Sequence, residues 1–526
     1  MNCYRYRTEV LIIGSGIAGA TAALQLADEG RQVSLLTADD APDKGNSALA
    51  QGGIIYKAPD ENPKALEEDI LVAGWRQNNP RAVRFVAQQG PQAVKDILLD
   101  KLKVDFARDE KGALDLHREG GHDRPRIIHC ADYSGRAIMD QLTAAVQRHP
   151  NITIMTKRTA IDLLTSHHHA KALEFKYQLK NQCCGAYVYN DDLKQVETIL
   201  ADYTILATGG IGQIYQHTTN TASSIGSGMV MASRAKAKTI NAEYVQFHPT
   251  SLYHRAPRRF LISEAVRGAG ARLVNEKGEA FMSRYDPRAD LAPRDIVTRA
   301  IQDEMLATGS PCVYLDVAKY STVDIEKSFP TITNKCREIG LEITKEPIPV
   351  VPSAHYFCGG VLTDTHARTT LSRLYAVGEC ACTGLHGANR LASTSLLEAL
   401  LYGVSAAEDI SKHYNARNKL PKRLVEAMPD WVSGGNTENE DPALIAQDWA
   451  TIRTTMWNYV GITRTTPRLK RAYDDMRSLY RNLQDFYRET PISKSLIDLF
   501  HGCYAAYIVT LGASRNHTST GCHYRK

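Results

Sequence analysis

The chain has 526 residues, 43% of them hydrophobic and 23% charged, and a formal net charge of +5. That length calls for several domains and a large core, and the ordinary composition excludes a disordered chain, a collagen and a coiled-coil rod. Mild basicity without a recognition motif makes no case for nucleic acid. The absence of an apolar run near the roughly 18 residues of a spanning segment argues against a membrane helix.

Residues 8–13 are a short Val/Leu/Ile run that ends in Gly14-Ser15-Gly16-Ile17-Ala18-Gly19. This reads as a strand, not a signal peptide. Residues 20–28 follow as an Ala/Leu-rich helix and 32–36 as a second strand, so the chain opens a doubly wound sheet with a βαβ unit. Residues 61–106 have a helical pattern. A β-rich stretch over 152–206 ends in Ala207-Thr208-Gly209-Gly210.

Character changes over 245–352, where Pro249, Pro257, Pro287, Pro293 and Pro311 mark turns. We read this as an inserted domain. At 373–378 a strand ends in Gly378, which returns the chain to the first domain, and 391–409 is a long Leu/Ala helix. Residues 413–443 resemble a linker; 443–487, broken at 461–467, and 493–511 are helical. The predicted fold is α/β. It has a doubly wound Rossmann-like nucleotide-binding domain (1–244 and 353–412), an inserted α+β capping domain (245–352) and a C-terminal helical domain (413–526).

The C-terminal domain holds the basic excess: 17 Lys and Arg against 11 Asp and Glu from Lys412 onward. Eleven scattered cysteines, including Cys183-Cys184 and the pair Cys380 and Cys382, lack metal-type spacing and fit reduced, cytoplasmic thiols. No metal site is expected. His167-His168-His169 reads as an exposed turn.

The glycine fingerprint has a physical logic. Gly14 permits the tight turn, Gly16 lets backbone approach a pyrophosphate, and Gly19 seats helix on strand. An acidic residue is expected at the end of the second strand to bind a ribose, and Thr37 stands there with Asp39-Asp40 beyond. That departure weakens a plain NAD site. Gly45-Asn46-Ser47-Ala48-Leu49-Ala50-Gln51-Gly52-Gly53 is small, polar and suited to wrapping a flat ring. With Ala207-Thr208-Gly209 and Gly378-Glu379, it makes a set of glycine turns suited to a long ligand such as FAD.

The motifs GSGIAG, NSALAQGGI, REGGH, ATGG, QFHPT, SEAVRGAGARL, APRDIVTRAI, SAHYFCGGV and AVGECACTGLHGANRLASTSLLEAL run through most of the chain. Together they resemble the fumarate reductase/succinate dehydrogenase flavoprotein family, on the side of its members that oxidise L-aspartate. The resemblance implies one FAD per chain, contacted also by Ser227, Ser395 and Leu396. Asn46 replaces the histidine that carries covalent flavin in some members, so attachment is expected to be non-covalent. Ser227 stands where the family usually has an acidic residue.

The resemblance further assigns His248, Ser263, His355 and Arg390 to substrate binding. It assigns Arg294 to proton transfer, with Glu264 and Arg267 beside it. Glu119 in REGGH is placed to pair with a substrate ammonium and so to separate L-aspartate from succinate. The implied reaction is oxidation of L-aspartate to iminoaspartate, with O2 or fumarate as acceptor, as the first step of de novo NAD synthesis. Partner quinolinate synthase takes the product. The inserted domain is expected to close as a lid on hinges beside Tyr244 and Ser353. A soluble fumarate reductase is the alternative within the fold. A respiratory-complex subunit docking through its basic C-terminal region is the alternative outside it.

Overall fold

The computed structural model describes residues 4–59, 61–254, 259–321, 323–436 and 441–526. Pro257 and part of the expected 413–443 linker (437–440) lie outside the described residues.

A seven-stranded sheet runs in the order Ile152–Met155, Val33–Leu36, Arg5–Ile13, Gln195–Leu206, Cys183–Asn190 and Arg158–Thr165. Leu374–Ala376 joins it beside the end of Gln195–Leu206. Val10, Leu11 and Ile12 have no exposed surface, as expected of a parallel strand covered on both faces. Register then decides function. Ile13 lies opposite both Leu36 and Leu206, and Leu206 lies opposite Ala376. Four parallel strands therefore end level, and their turns open at one edge of one sheet.

The turns carry the expected strain. Gly14 sits at φ +113°, and a Cβ there would stand 2.1 Å from the Ala207 carbonyl oxygen. A Cβ on Gly19 would stand 2.0 Å from the Gly14 oxygen, so the third glycine seats the helix Ile17–Asp28 against the turn.

The inserted segment forms an antiparallel sheet in the order Val245–Leu252, Ile348–Phe357, Val313–Asp316 and Arg272–Val274. Leu273, Leu315 and Val350 of this sheet pack on Val297, Ala300 and Ile301 of the helix Arg294–Thr308. The structure moves one expected hinge. Ser353 lies inside the unbroken strand Ile348–Phe357 and is buried, with its hydroxyl hydrogen-bonded to that of Ser251. A buried ladder residue, paired with His248 of the neighbouring strand, is not a loop hinge.

The helices Pro442–Tyr459, Thr466–Glu489 and Lys494–Arg515 form the C-terminal layer. Thr465 and Ser493 cap the second and third by accepting from backbone N–H groups. The layer has no private core: Ile452, Met456, Leu499 and Val509 cluster with Ile214, Met229, Phe247 and Phe357 of the preceding chain. Lys494–Arg515 is long and apolar enough to cross a membrane, contrary to expectation, but 67% of its apolar 18-residue window is buried inside the protein. His167-His168-His169 lies in the short helix Ser166–His169, and only His168 of the three is exposed.

Candidate functional site

A cleft of about 320 Å³ follows the level strand ends and runs beneath the inserted sheet. It is lined by Gly14, Ser15, Gly16, Ile17 and Ala18 of the first turn, by Thr37, and by Asn46, Ser47, Leu49, Ala50, Gln51, Gly52 and Gly53. Ala207, Thr208, Gly209, Ser227, Glu379, Ser395 and Leu396 line it as well. Two expected cofactor residues do not. Gly19 is spent on packing helix against turn, and Ala48 is buried within the single turn Asn46–Leu49.

The first half of the cleft fits FAD. The helix Ile17–Asp28 has no side-chain cap at Gly16 and no acidic residue in its first turn, so its positive end is open to an anion. Ser47 Oγ accepts the Ile17 N–H at 3.1 Å and pins the second wall to that end. The Asn46 amide is spent on structure: it donates to Ser224 Oγ at 2.9 Å and accepts from the Thr221 N–H at 2.8 Å. Gly226 at φ +84° turns the chain into the helix Ser227–Arg234, and the Gly228 N–H donates to Thr208 Oγ1 at 3.0 Å. Burial pushes the Glu379 carboxyl up to about 7, although the Phe357 N–H donates to it at 2.9 Å.

The second half of the cleft gathers Glu119, His248, Ser263, Glu264, Arg294, His355 and Arg390. Ser263 caps the short helix Glu264–Gly268, which aims Glu264 at Arg294. Arg294 Nε donates to Glu264 Oε2 at 2.6 Å. Burial is the largest single influence and opposes both charges, but the neighbouring charges together outweigh it, Arg294, Arg267 and Arg390 for Glu264 and Glu264 with Glu119 for Arg294. The Glu264 carboxyl is held below its usual range, and the Arg294 guanidinium, next to Glu264 and Glu119, above its own. Arg267 does not line the cleft. It is fully buried behind Glu264, with Nη2 at 3.9 Å from that carboxylate, and it donates to the Asp290 carbonyl.

Arg390 lies 4.6 Å over the Tyr356 ring. Its Nε donates to Gln246 Oε1 at 3.2 Å and its Nη1 to Ser395 Oγ at 3.1 Å. His248 and His355 stand edge to face, with centroids 5.2 Å apart. Each Nδ1 is engaged inward, with the Thr250 backbone and with Thr219 Oγ1 respectively. Burial and neighbouring guanidiniums push both imidazoles well below their usual value, so both are neutral. Glu119 Oε2 accepts from Ser393 Oγ at 2.5 Å.

Several lining residues were given no site role from the sequence: Thr219, Asn220, Thr221, Tyr356 and Ser393 here, and Arg158, Lys494 and Asp498 at the far end by Thr37 and Asp39. Only adjacency could have flagged some of them, since Tyr356 follows His355 and Ser393 sits in the ASTSLL motif.

The family model described as FAD binding domain matches residues 9–396. The chain is 42% identical to the L-aspartate oxidase of Pseudomonas aeruginosa, over 99% of this chain and 95% of that one. It is 37% identical to the chloroplastic L-aspartate oxidase of Arabidopsis thaliana, over 98% of this chain and 80% of that one. Among solved structures, an E. coli quinol fumarate reductase FrdA variant superposes with TM-score 0.86 at 26% identity, covering 99% of this chain and 91% of its own.

Proposed function

This chain belongs to the L-aspartate oxidases, FAD-dependent oxidoreductases of the fumarate reductase/succinate dehydrogenase flavoprotein family, and we propose that it oxidises L-aspartate to iminoaspartate in the cleft between Glu119, Arg294 and Arg390. The observation that carries this reading is the charge set. Arg294 and Arg390 line this half of the cleft as two cations, and Glu119 stands with them as a carboxylate held by the Ser393 hydroxyl. L-aspartate brings two carboxylates for the guanidiniums and an ammonium for Glu119, whereas succinate leaves Glu119 without an ammonium partner.

Arg390 and Arg294 grip the two carboxylates. His248 and His355, neutral and tied at Nδ1, offer Nε2 as uncharged donors that orient the substrate without adding to the charge. Glu119, held by Ser393, takes the ammonium. FAD, bound non-covalently and one per chain, supplies the acceptor for two electrons. Loss of the Cα hydrogen with that electron pair, and of one proton from nitrogen, gives the protonated imine. Arg294 is held charged, so proton movement through it requires Glu264, 2.6 Å away, to take a proton as Arg294 receives one. Arg267, 3.9 Å beyond, continues the path.

Electrons leave to O2, giving hydrogen peroxide, or to fumarate, giving succinate. Fumarate carries the two carboxylates that the arginines are placed to hold. His248, Ser263, Glu264 and Arg294 belong to the inserted segment and Arg390 to the returning chain, so closure of one on the other assembles the site and excludes water. We place the reaction in the cytoplasm, where the free, buried thiols of the described cysteines stay reduced, and iminoaspartate passes to quinolinate synthase for NAD synthesis.

The test is anaerobic reduction of the FAD-loaded protein, followed by its visible absorbance. Bleaching by L-aspartate, reversed by O2 or by fumarate, is the expected result. Bleaching by succinate and not by L-aspartate would overturn the reading in favour of a fumarate reductase.

A further inference from the structure

The segment around Cys522, the tail, lies behind the substrate half of the cleft and packs against the loop that carries Arg390, far from it in sequence. Cys522 donates its backbone N–H to the Ala388 carbonyl at 2.9 Å and its thiol to Asn389 Oδ1 at 3.3 Å. The same Asn389 Oδ1 accepts from Gln246 Nε2 at 2.7 Å. Gln246 Nε2 also donates to the Arg390 carbonyl at 2.9 Å, and its Oε1 accepts from Arg390 Nε at 3.2 Å. All four side chains in this chain of contacts are buried.

The polarity of the chain is fixed. A side-chain amide can be flipped, which exchanges its donor and acceptor ends. Asn389 turns its Nδ2 to the Ala73 carbonyl at 3.3 Å, which can only accept, and so presents its oxygen to Gln246 and to the Cys522 thiol, which donates to it. Gln246 must then turn its nitrogen to Asn389 and its oxygen to Arg390. A flipped Gln246 would aim an N–H at the guanidinium N–H, with no acceptor between them.

The tail is well anchored. His523 Nδ1 meets Arg464 Nη1 at 2.6 Å, and the fully buried Arg464 donates to the Glu243 carbonyl at 2.8 Å. A Cβ on Gly521, at φ +56°, would stand 2.5 Å from the Ala388 oxygen, so the turn before Cys522 admits only glycine at that closeness. Beyond it, Arg299 lies 4.7 Å over the Tyr524 ring, which ties the tail to the helix that begins at Arg294.

We infer that the tail is a positioning element for the dicarboxylate clamp: Cys522, through Asn389 and Gln246, sets the plane in which Arg390 meets a carboxylate. The inference rests on the reading of Arg390 as a carboxylate ligand. Asn389, Gln246 and Cys522 do not line the cleft; they act through Arg390. A bidentate grip depends on guanidinium orientation more than on charge, so loss of the tail contact weakens binding without removing the cation.

The experiment uses the full-length, FAD-loaded chain and two readouts: the dissociation constant of succinate or malonate, from its perturbation of the bound flavin's absorbance, and KM and kcat for L-aspartate. Cys522→Ala is expected to raise both the dicarboxylate dissociation constant and KM about threefold to tenfold, with kcat and FAD affinity kept. Cys522→Ser, which restores a donor, is expected to return both toward the parent values, a rescue that a merely structural role would not produce. Gln246→Glu, which sets a carboxylate against Arg390 to compete with the substrate, is expected to raise them further. Should Cys522→Ala not fold, Cys522→Ser against Gln246→Glu keeps the comparison. A parent that binds dicarboxylate, with tail variants that bind it equally well, overturns the inference alone. A parent that shows no dicarboxylate response overturns the reading of Arg390 and the inference with it.

Discussion

Ser393 donates to Glu119 across 2.5 Å, joining residues 274 positions apart. Ser393 adopts φ +57°, left-handed for a non-glycine residue, at the start of the helix Thr394–His413. Such a conformation costs about 1–3 kcal/mol and persists only where its surroundings hold it. Here the buried Thr394 donates to the Leu391 carbonyl at 2.6 Å and fixes the turn. The turn points a hydroxyl at the Glu119 carboxylate in the cleft wall.

Glu119→Gln is therefore expected to lower kcat/KM for L-aspartate by about 100-fold, ~3 kcal/mol of lost charge-assisted pairing. Reduction by succinate changes little. Steady-state kinetics with both substrates checks the difference, and equal losses on both would refute the ammonium role.

The loop that carries Glu119 hangs on a buried cation. Arg126 has no exposed surface and pairs with Glu61 at 2.7 Å and with Asp69 and Asp123. Arg126→Met leaves carboxylates without their cation, and a loss of roughly 3–5 kcal/mol in stability is expected. Denaturant unfolding measures it.

Lys494 and Asp498, on the first turns of the last long helix, line the cofactor cleft near Thr37 and Asp39 and bond each other at 2.5 Å. Burial pushes the Asp498 carboxyl up, and Lys494 opposes that. Lys494→Met is expected to weaken FAD binding about tenfold, ~1.4 kcal/mol, with KM at saturating FAD unchanged. Fluorescence titration of the apoprotein decides it.

Stability should fall on mild acidification. Burial is the largest cause holding His122, His217, His501 and His523 down to about 4. The unfolded chain takes up protons at these positions below an ordinary value of about 6.5 and the folded chain does not. Their contribution is thus complete above that value and is lost as the pH falls from about 6.5 toward 4, by up to about 1.4 kcal/mol per histidine per unit. Urea midpoints at successive pH values test the sign.

The nucleotide turn was legible because its physics is local. Gly14, Gly16 and Gly19 answer to a strand before them and a helix after them, and six residues contain the whole requirement. His248, Arg294, His355 and Arg390 were legible differently, through the resemblance that the long motifs carry, and the structure brings all four to one cleft. Lys494 and Asp498 were not legible, because a lysine and an aspartate four apart on a helix read as a solvated pair. Arg267 read as part of the relay, yet only its burial behind Glu264 shows that it stands out of the cleft's reach.

The amino-acid sequence alone determined the sheet-opening βαβ unit, the FAD cradle and the chemical types of the substrate groups, since glycine strain, strand hydrophobicity and side-chain chemistry act over a few residues. Tertiary structure alone decided which strands end level, which acid pairs with which arginine, and that a tail thiol stands behind Arg390. Those outcomes depend on sheet register and long-range packing, in which each contact is bought with the ordering of hundreds of intervening residues, and no local pattern encodes them.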